Sequence, residues 1–279
     1  MNQMQTQPPI PTLITYSNYG YIHFAINLIV NVLRKIKYHK LHFYCLDEEI
    51  YEKLKKMDIN SENIIIELFK PKLKKEIEKN FTIYGSEEYN KITHTKISVI
   101  RDALEKYNFI HFIDCDVVCI NEPPVEYYKK YKDYDIMFQY DAGFEKSSTS
   151  TSDNPTPIPH SFPILNHIWA CTGNTTFRNT PQTKKILNII EGYQNKYPNK
   201  NDQECLYQYF IDLQIKDMID CKDAIMGTYP YEEYTNGFWL NNNIGNLSKT
   251  YFFHANHVTG MNAKIELLNK AGEWHIRNF

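Results

Sequence analysis

Apolar and polar positions along this chain follow two rhythms that take turns. Leu13 to Tyr16 is a short apolar run, and Ser17-Asn18-Tyr19-Gly20 after it is turn-like. Ile22, Ala25, Ile26, Ile29, Val32 and Leu33 then recur at helical spacing, so the opening reads strand, turn, helix. The cycle repeats with a strand over Leu41 to Leu46, a helix capped by Asp47 and running to Met57, and a third strand over Asn63 to Leu68. Phe69 to Asn90 is charged and weakly periodic, which predicts a surface excursion before a helix from about Thr93 to Tyr107. Phe109, Ile110, Phe112 and Ile113 then form a strand that is apolar on both faces, as a central strand covered by helices requires. The alternation predicts an α/β fold with a mostly parallel central sheet flanked by helices.

The second half is less regular. Asn121-Glu122-Pro123-Pro124 stops any continuation, and Asp135 to Tyr140 supplies a strand that ends at Asp141. The segment Glu145 to Ser161 reads EKSSTSTSDNPTPIPHS, too polar and proline-rich to bury a share of the core, and is expected to be a mobile loop. Ile168 to Phe177 resumes the sheet, Pro181 starts a helix in the position that proline favours, and Asn201 opens another. A strand over Thr250 to Phe253, a helix over about Asn262 to Lys270 and the segment Gly272-Glu273-Trp274 follow. A chain of 279 residues can bury one full core, and nothing in the pattern divides it, so residues 1–279 read as a single domain.

Charge narrows the functional classes. The net charge is −2, and 27 Lys stand against 4 Arg, so the chain lacks the guanidinium-rich surface that grips nucleic acid, and no nucleic-acid partner is expected. Met1 to Pro11 is polar and proline-containing, without the basic flank and apolar run of a signal peptide. The longest apolar stretch, Ile22 to Val30, is far shorter than the roughly 20 residues that cross a bilayer. The expectation is a cytoplasmic protein with no membrane anchor. Cys45, Cys115, Cys119, Cys171, Cys205 and Cys221 are scattered through apolar segments and read as reduced core cysteines.

The strongest chemical signal lies at the end of the central strand, where His111-Phe112-Ile113-Asp114-Cys115-Asp116-Val117-Val118 places two carboxylates one residue apart. Ligands of α/β sheets gather at the carboxyl ends of strands. Two acids held together there repel and are costly to desolvate without a cation between them, and hard oxygen ligands suit magnesium or manganese. An isolated Asp-x-Asp also fits a strand that simply exits into water. His254, directly after the last strand, is placed to join Asp116 around a metal, although His257 competes for the role and either ring could instead be satisfied by local backbone. Lys264, at the start of the final helix, could hold a departing diphosphate together with the helix amino terminus, or could be one more surface lysine. In Asn201-Asp202-Gln203-Glu204 the first and last residues make a capping-box pattern, which leaves Asp202 and Gln203 unexplained and suited to binding sugar hydroxyls. Asp141 at its strand end is comparable, and Gly173 in Cys171-Thr172-Gly173-Asn174 marks either a close approach of the chain or a bulge.

These blocks, in this order, resemble the GT-A-fold glycosyltransferases of the nucleotide-diphospho-sugar transferase family, and more distantly the glycogenin-like group. The matching residues are Thr15-Tyr16-Ser17-Asn18, Lys96, Phe112-Ile113-Asp114-Cys115-Asp116, Thr172-Gly173 with Phe177-Arg178, Asp202-Gln203, His254-Ala255-Asn256-His257 through Gly260 to Lys264, and Gly272-Glu273-Trp274. The resemblance spans about Leu13 to Trp274. It implies that Asp116 and His254 bind manganese, that Asp114 contacts the metal or the ribose, and that Gly260 and Lys264 contact the diphosphate. It also implies that Thr15, Tyr16 and Asn18 hold the base, usually uracil, and that Lys96 belongs to the donor site. Asp141, Asp202 and Gln203 would face the donor sugar and the acceptor. The implied reaction is transfer of a sugar from a UDP-sugar to an acceptor hydroxyl, with retention at the anomeric carbon; an inverting route would need Asp141, Asp202 or Glu204 as a base. Where relatives often carry Asn, this chain has Cys171. Two other readings fit parts of the pattern. Asp114-x-Asp116-x-Val118 also suits a phosphohydrolase of the haloacid dehalogenase type, although that family places the motif on its first strand, and a GT-A-like protein could bind a nucleotide sugar without catalysis.

Overall fold

The computed structural model describes residues 10–276 apart from 58, 60, 72–79, 143, 146–155, 158–167, 219–220 and 245. Its first half follows the alternation closely: β1 (Thr12–Ser17), α1 (Ile22–Lys35), β2 (Leu41–Cys45), α2 (Glu48–Lys55), β3 (Ile64–Leu68), α3 (Glu87–Lys106) and β4 (Phe109–Ile113). After a short strand β5 (Val117–Cys119) come β6 (Ile136–Tyr140), β7 (Phe144–Glu145), β8 (Thr156–Pro157), β9 (Ala170–Arg178), α4 (Pro181–Lys196) and α5 (Asp202–Asp212). The chain continues through β10 (Met226–Thr228), β11 (Tyr234–Asn236), α6 (Gly237–Asn241), β12 (Phe252–His254) and α7 (Met261–Lys270).

Seven strands form the main sheet in the order β10-β6-β9-β4-β1-β2-β3. All its pairings are parallel except those of β9, which runs antiparallel between β4 and β6. The sheet is therefore mixed but mostly parallel, as expected. Side-chain alternation along the strands splits the core into two layers. Leu13, Phe43 and Ile113 face α1 on one side, while Ile14, Tyr44 and Phe112 face α3, α4 and α5 on the other. All six are fully buried, and each such side chain is worth about 1.5–3 kcal/mol against exposure. A second sheet of three strands, β11-β12-β5, stands beside the first and carries His254 at the end of its central strand.

Helix α3 starts at Glu87, six residues before the point where the apolar periodicity begins. Its first turn is held by Ser86, whose side chain accepts from the Tyr89 amide at 3.1 Å, and by Glu87 and Glu88 at the positive end of the helix dipole. That turn carries little apolar surface to read. Of the segment expected to be mobile, Glu145, Thr156 and Pro157 take part in a two-residue antiparallel pairing. The rest of 145–161 lies outside the described residues. Asn27 and Asn31, which interrupt the apolar face of α1, are buried for a reason. Asn31 bonds the Cys119 amide at 2.8 Å, the Cys119 carbonyl at 3.0 Å and Glu273 at 2.8 Å. Asn27 holds the backbone of Glu273 and His275, and Lys35 pairs with Glu273 at 2.7 Å. The Gly272-Glu273-Trp274 segment is thus clamped to α1 and β5 through a satisfied polar network. All six cysteines are free and buried, as expected.

Candidate active site

The carboxyl ends of β1, β4 and β6, the bulged part of β9, the first turn of α5 and the run from β12 to α7 enclose a cavity of about 660 Å³, within the range of small-molecule sites. At its floor Asp114 follows β4, Asp116 follows two residues later, and His254 ends β12. One ligand atom from each lies within 4.8 Å of the others. His254, 5 % exposed, directs Nε2 at Asp116 Oδ1, 3.3 Å away.

Gly173 makes room for this cluster. A Cβ on it would stand 2.3 Å from Asp114 Oδ2 and 2.6 Å from Cε1 of His254. Its carbonyl accepts from the Asp114 amide at 2.7 Å, so the glycine lies directly against the acid it accommodates. The register of β9 against β6 slips here: Phe138 pairs with Thr175, but Gln139 pairs with Cys171. Of the two uses the sequence offered for Gly173, close approach to a ligand or a bulge, the structure has the bulge, and the close approach it shows is to the Asp114 and His254 side chains.

Two lysines balance the acids. Lys96, buried on α3, pairs with Asp202 Oδ2 at 2.7 Å and Asp114 Oδ1 at 3.4 Å, and its ammonium lies 4.9 Å from the centre of the Phe112 ring. Burial works to lower its pKa, but the carboxylates of Asp114 and Asp202 outweigh it and raise it. Lys264 on α7 pairs with Asp116 Oδ2 and reaches the Ala255 carbonyl at 3.3 Å. Burial would raise the pKa of Asp116, yet the Lys264 ammonium beside it holds it well below the usual carboxylate range.

Above this floor stands a third acid. Asp141 accepts from Gln203 Nε2 at 2.9 Å and Asn256 Nδ2 at 2.9 Å, and His257 Nε2 lies 3.2 Å away. Burial pushes its pKa up, but His257 chiefly, with Gln203 and His254, brings it below the usual carboxylate value. Gln203 Oε1 accepts from the Thr172 amide at 3.2 Å, which ties α5 to the bulge of β9. His257 adopts φ +57°, a left-handed conformation that is strained for a residue with a Cβ, and it uses that bend to face Asp141. It therefore belongs to the Asp141 group, and His254 alone of the two histidines joins the Asp pair.

The remaining expected residues divide. Tyr16 and Asn18 line the cavity, though the Tyr16 hydroxyl is spent on the Ile92 carbonyl at 2.8 Å and Asn18 Nδ2 on the Asn80 carbonyl at 3.3 Å. Thr15 is fully buried with Oγ1 3.5 Å from Cys115 Sγ and does not line the cavity. Gly260, at φ +87°, precedes α7 and leaves its first turn without a side-chain cap. Glu204 completes the capping box with Asn201, whose amide donates to Glu204 Oε2 at 2.8 Å. One residue at the site escaped the sequence: Gln139 is a buried amide on an otherwise apolar strand, a signal that was there to read. Cys171, which stands where relatives often carry Asn, turns Sγ toward Nδ1 of His254 at 3.4 Å.

The residues at the floor fit a divalent cation. The cluster mixes two carboxylates with an imidazole, Gly173 leaves room for the Asp114 carboxylate and the His254 ring to converge, and the ammonium of Lys264 already answers the carboxylates' demand for positive charge.

Comparison with known proteins agrees with this picture. No curated protein sequence matches the chain. Among solved structures, it is similar in fold to the galactosyltransferase LgtC in complex with donor and acceptor sugar analogs, at 10% identity and a TM-score of 0.56, covering 94% of this chain and 95% of that one. A glycosyltransferase involved in glycosylation of the major capsid of PBCV-1 matches at 12% identity and a TM-score of 0.50, over 93% of this chain and 98% of that one. The bifunctional glycosyltransferase WbbM matches at 13% identity and a TM-score of 0.53, over 96% of this chain but 50% of its own. These likenesses establish a GT-A glycosyltransferase fold. Among the described residues no helix is long and apolar enough to cross a membrane. The model of the nucleotide-diphospho-sugar transferase family matches residues 37–268, a span that includes the aspartate pair, Asp202-Gln203, His254 and Lys264, and the chain accordingly belongs to that family.

Proposed function

We propose that the protein transfers a sugar from a UDP-sugar to an acceptor hydroxyl, with a manganese or magnesium ion held by Asp114, Asp116 and His254. The observation that carries this reading is the convergence of those three ligands within 4.8 Å, beside Lys264, in a cavity large enough for a nucleotide sugar. The bound ion would supply Lewis-acid stabilisation of the diphosphate as it leaves. Lys264 and the uncapped amino terminus of α7 after Gly260 supply the protein's own share, an ammonium and a set of backbone amides for the same developing charge. Tyr16 and Asn18 border the part of the cavity assigned to the base. Thr15 acts there only through the strand that carries it, since its side chain is buried away from the cavity.

Asp141, Gln203 and Asp202 are the donor-sugar and acceptor side of the site. Lys96 holds Asp202 and Asp114 together, so the sugar-facing turn of α5 is positioned by the same cation that steadies the metal ligands. Retention at the anomeric carbon suits this arrangement. An inverting transfer needs a carboxylate free to take the acceptor proton, whereas Asp202 is paired with Lys96, Glu204 is engaged in the capping box, and Asp141 already has Gln203, Asn256 and His257 around it. The phosphohydrolase reading is set aside, because the aspartate pair follows the fourth strand and the family model is that of sugar transferases.

Incubation with a panel of UDP-sugars and manganese tests the proposal, with UDP release and proton NMR of the first product as readouts. UDP release that needs the metal, with the donor's anomeric configuration kept, is expected. No turnover or donor hydrolysis across the panel, despite metal-dependent UDP binding, would favour a non-catalytic binding protein instead.

A further inference from the structure

We infer that Gln139 is the positioning residue that fixes the tautomer of His254 and so presents Nε2, unprotonated, to the cation. The inference rests on the metal reading of the site given above. Gln139 lies on β6 at the register slip and is fully buried. Its Nε2 donates to the Thr235 carbonyl of β11 at 2.6 Å, and its Oε1 lies 3.3 Å from Nδ1 of His254. A carbonyl can only accept, so turning the amide over would press two oxygens together at hydrogen-bond distance, and the orientation of Gln139 is decided by Thr235. Its Oε1 in turn can only accept. In the neutral ring, Nδ1 of His254 therefore carries the proton against that Oε1, with Cys171 Sγ 3.4 Å away as a second, weaker neighbour, and the lone pair of Nε2 points at Asp116 Oδ1 across 3.3 Å.

That arrangement makes no sense as an imidazole–carboxylate hydrogen bond, because two acceptors would face each other. It makes sense when both are meant for one cation. The chain of constraint runs from a backbone carbonyl of the small sheet, through one buried amide of the large sheet, to a metal ligand at the end of the small sheet's central strand. It therefore also couples the relative setting of the two sheets to the geometry of the cluster. Without Gln139 the ring would be free to put its proton on Nε2 and donate it to Asp116, a hydrogen bond that must be broken before a cation can enter.

Two measurements decide the matter. The first is the nitrogen-15 NMR tautomer of His254 in the metal-free wild type, held alkaline so that the ring is neutral. A proton on Nδ1 is expected, and a proton on Nε2 overturns the inference. The second is titration of Mn²⁺ into the wild type and into Gln139→Met, which keeps the bulk and removes both hydrogen bonds. The variant is expected to bind about 10- to 100-fold more weakly, the range for loss of such a supporting partner, with the His254 proton moved to Nε2. Equal Mn²⁺ affinity in a folded variant, or an unmoved proton, overturns it. A wild type that binds no Mn²⁺ would instead sink the metal reading, and the tautomer measurement would still decide the role of Gln139.

Discussion

Substituting Gly173 with alanine isolates the geometry of the ligand cluster from everything else in the fold. Gly173 does not have a positive φ, so an L side chain suits its backbone and the whole effect is one of contact. The added methyl would lie 2.3 Å from Asp114 Oδ2 and 2.6 Å from the His254 ring, against about 3.4 Å for ordinary packing. Either the acid and the imidazole move apart by about 1 Å or β9 retreats from β4, and overpacking of this kind costs about 1–3 kcal/mol. The first adjustment is the easier, since the Asp114 carboxylate is a side-chain end at the cavity whereas β9 is hydrogen-bonded on both sides. Gly173→Ala should therefore stay folded while its Mn²⁺ affinity, measured by calorimetry, falls by about 100-fold, the scale that displacement by about 1 Å can carry. Wild-type affinity for Mn²⁺ in this variant would refute the argument that the glycine exists to admit the cluster. So would loss of the fold with no separable loss of binding.

Other variants probe the surroundings of the site. Lys96→Met leaves the buried Asp202, and the half-buried Asp114 beside it, without their cation and should lower stability by about 3–5 kcal/mol in urea unfolding, with part of it regained in the double variant with Asp202→Asn; strict additivity of the two would contradict the pairing. Asn31→Ala strands the Cys119 amide and carbonyl, at about 1–3 kcal/mol for each buried group left unpaired, while the Glu273 oxygen keeps His275, and a variant as stable as the wild type would deny the clamp on the carboxyl-terminal segment. The depressed pKa of Asp141 gives a signed pH effect. Its contribution to stability is complete above the unfolded-state value of about 3.9 and is lost as pH falls through the lower folded-state value, so the wild type and Asp141→Asn should differ in stability at neutral pH and converge in acid. A difference that instead grows as the solution is acidified would contradict it.

Where the sequence spoke clearly, one physical signal governed the outcome. The 3.6-residue recurrence of α1, the mostly apolar runs of β1, β2 and β4, and the Asp47, Pro181 and Asn201 starts all act through neighbours along the chain, and all appear in the structure. The antiparallel placement of β9 depends on partners far apart in sequence, and no local pattern encodes it. The same division runs through the site. Asp114-x-Asp116 is visible because two acids one residue apart at the end of a buried strand need an explanation, but the partner of Lys96 could not be read, since Asp202 lies on a helix more than a hundred residues on. His254 and His257 were indistinguishable as letters. A left-handed bend at His257 separates them by sending its ring to Asp141. Glu204 was legible in its structural role and is spent there. Gln139 was overlooked because one amide in an apolar strand looks like a tolerated exception until its two partners are seen.

The central claim, a metal-dependent site for a nucleotide diphosphate built on Asp116, is tested most directly by melting the wild type and Asp116→Ala with UDP, in manganese and in EDTA. At about a hundred times its dissociation constant UDP should add roughly 2.7 kcal/mol, or about 5–10 °C for a domain of this size, in the wild type with manganese and in no other combination. An equal shift in EDTA or in Asp116→Ala, or no shift with manganese in the wild type, would contradict the account.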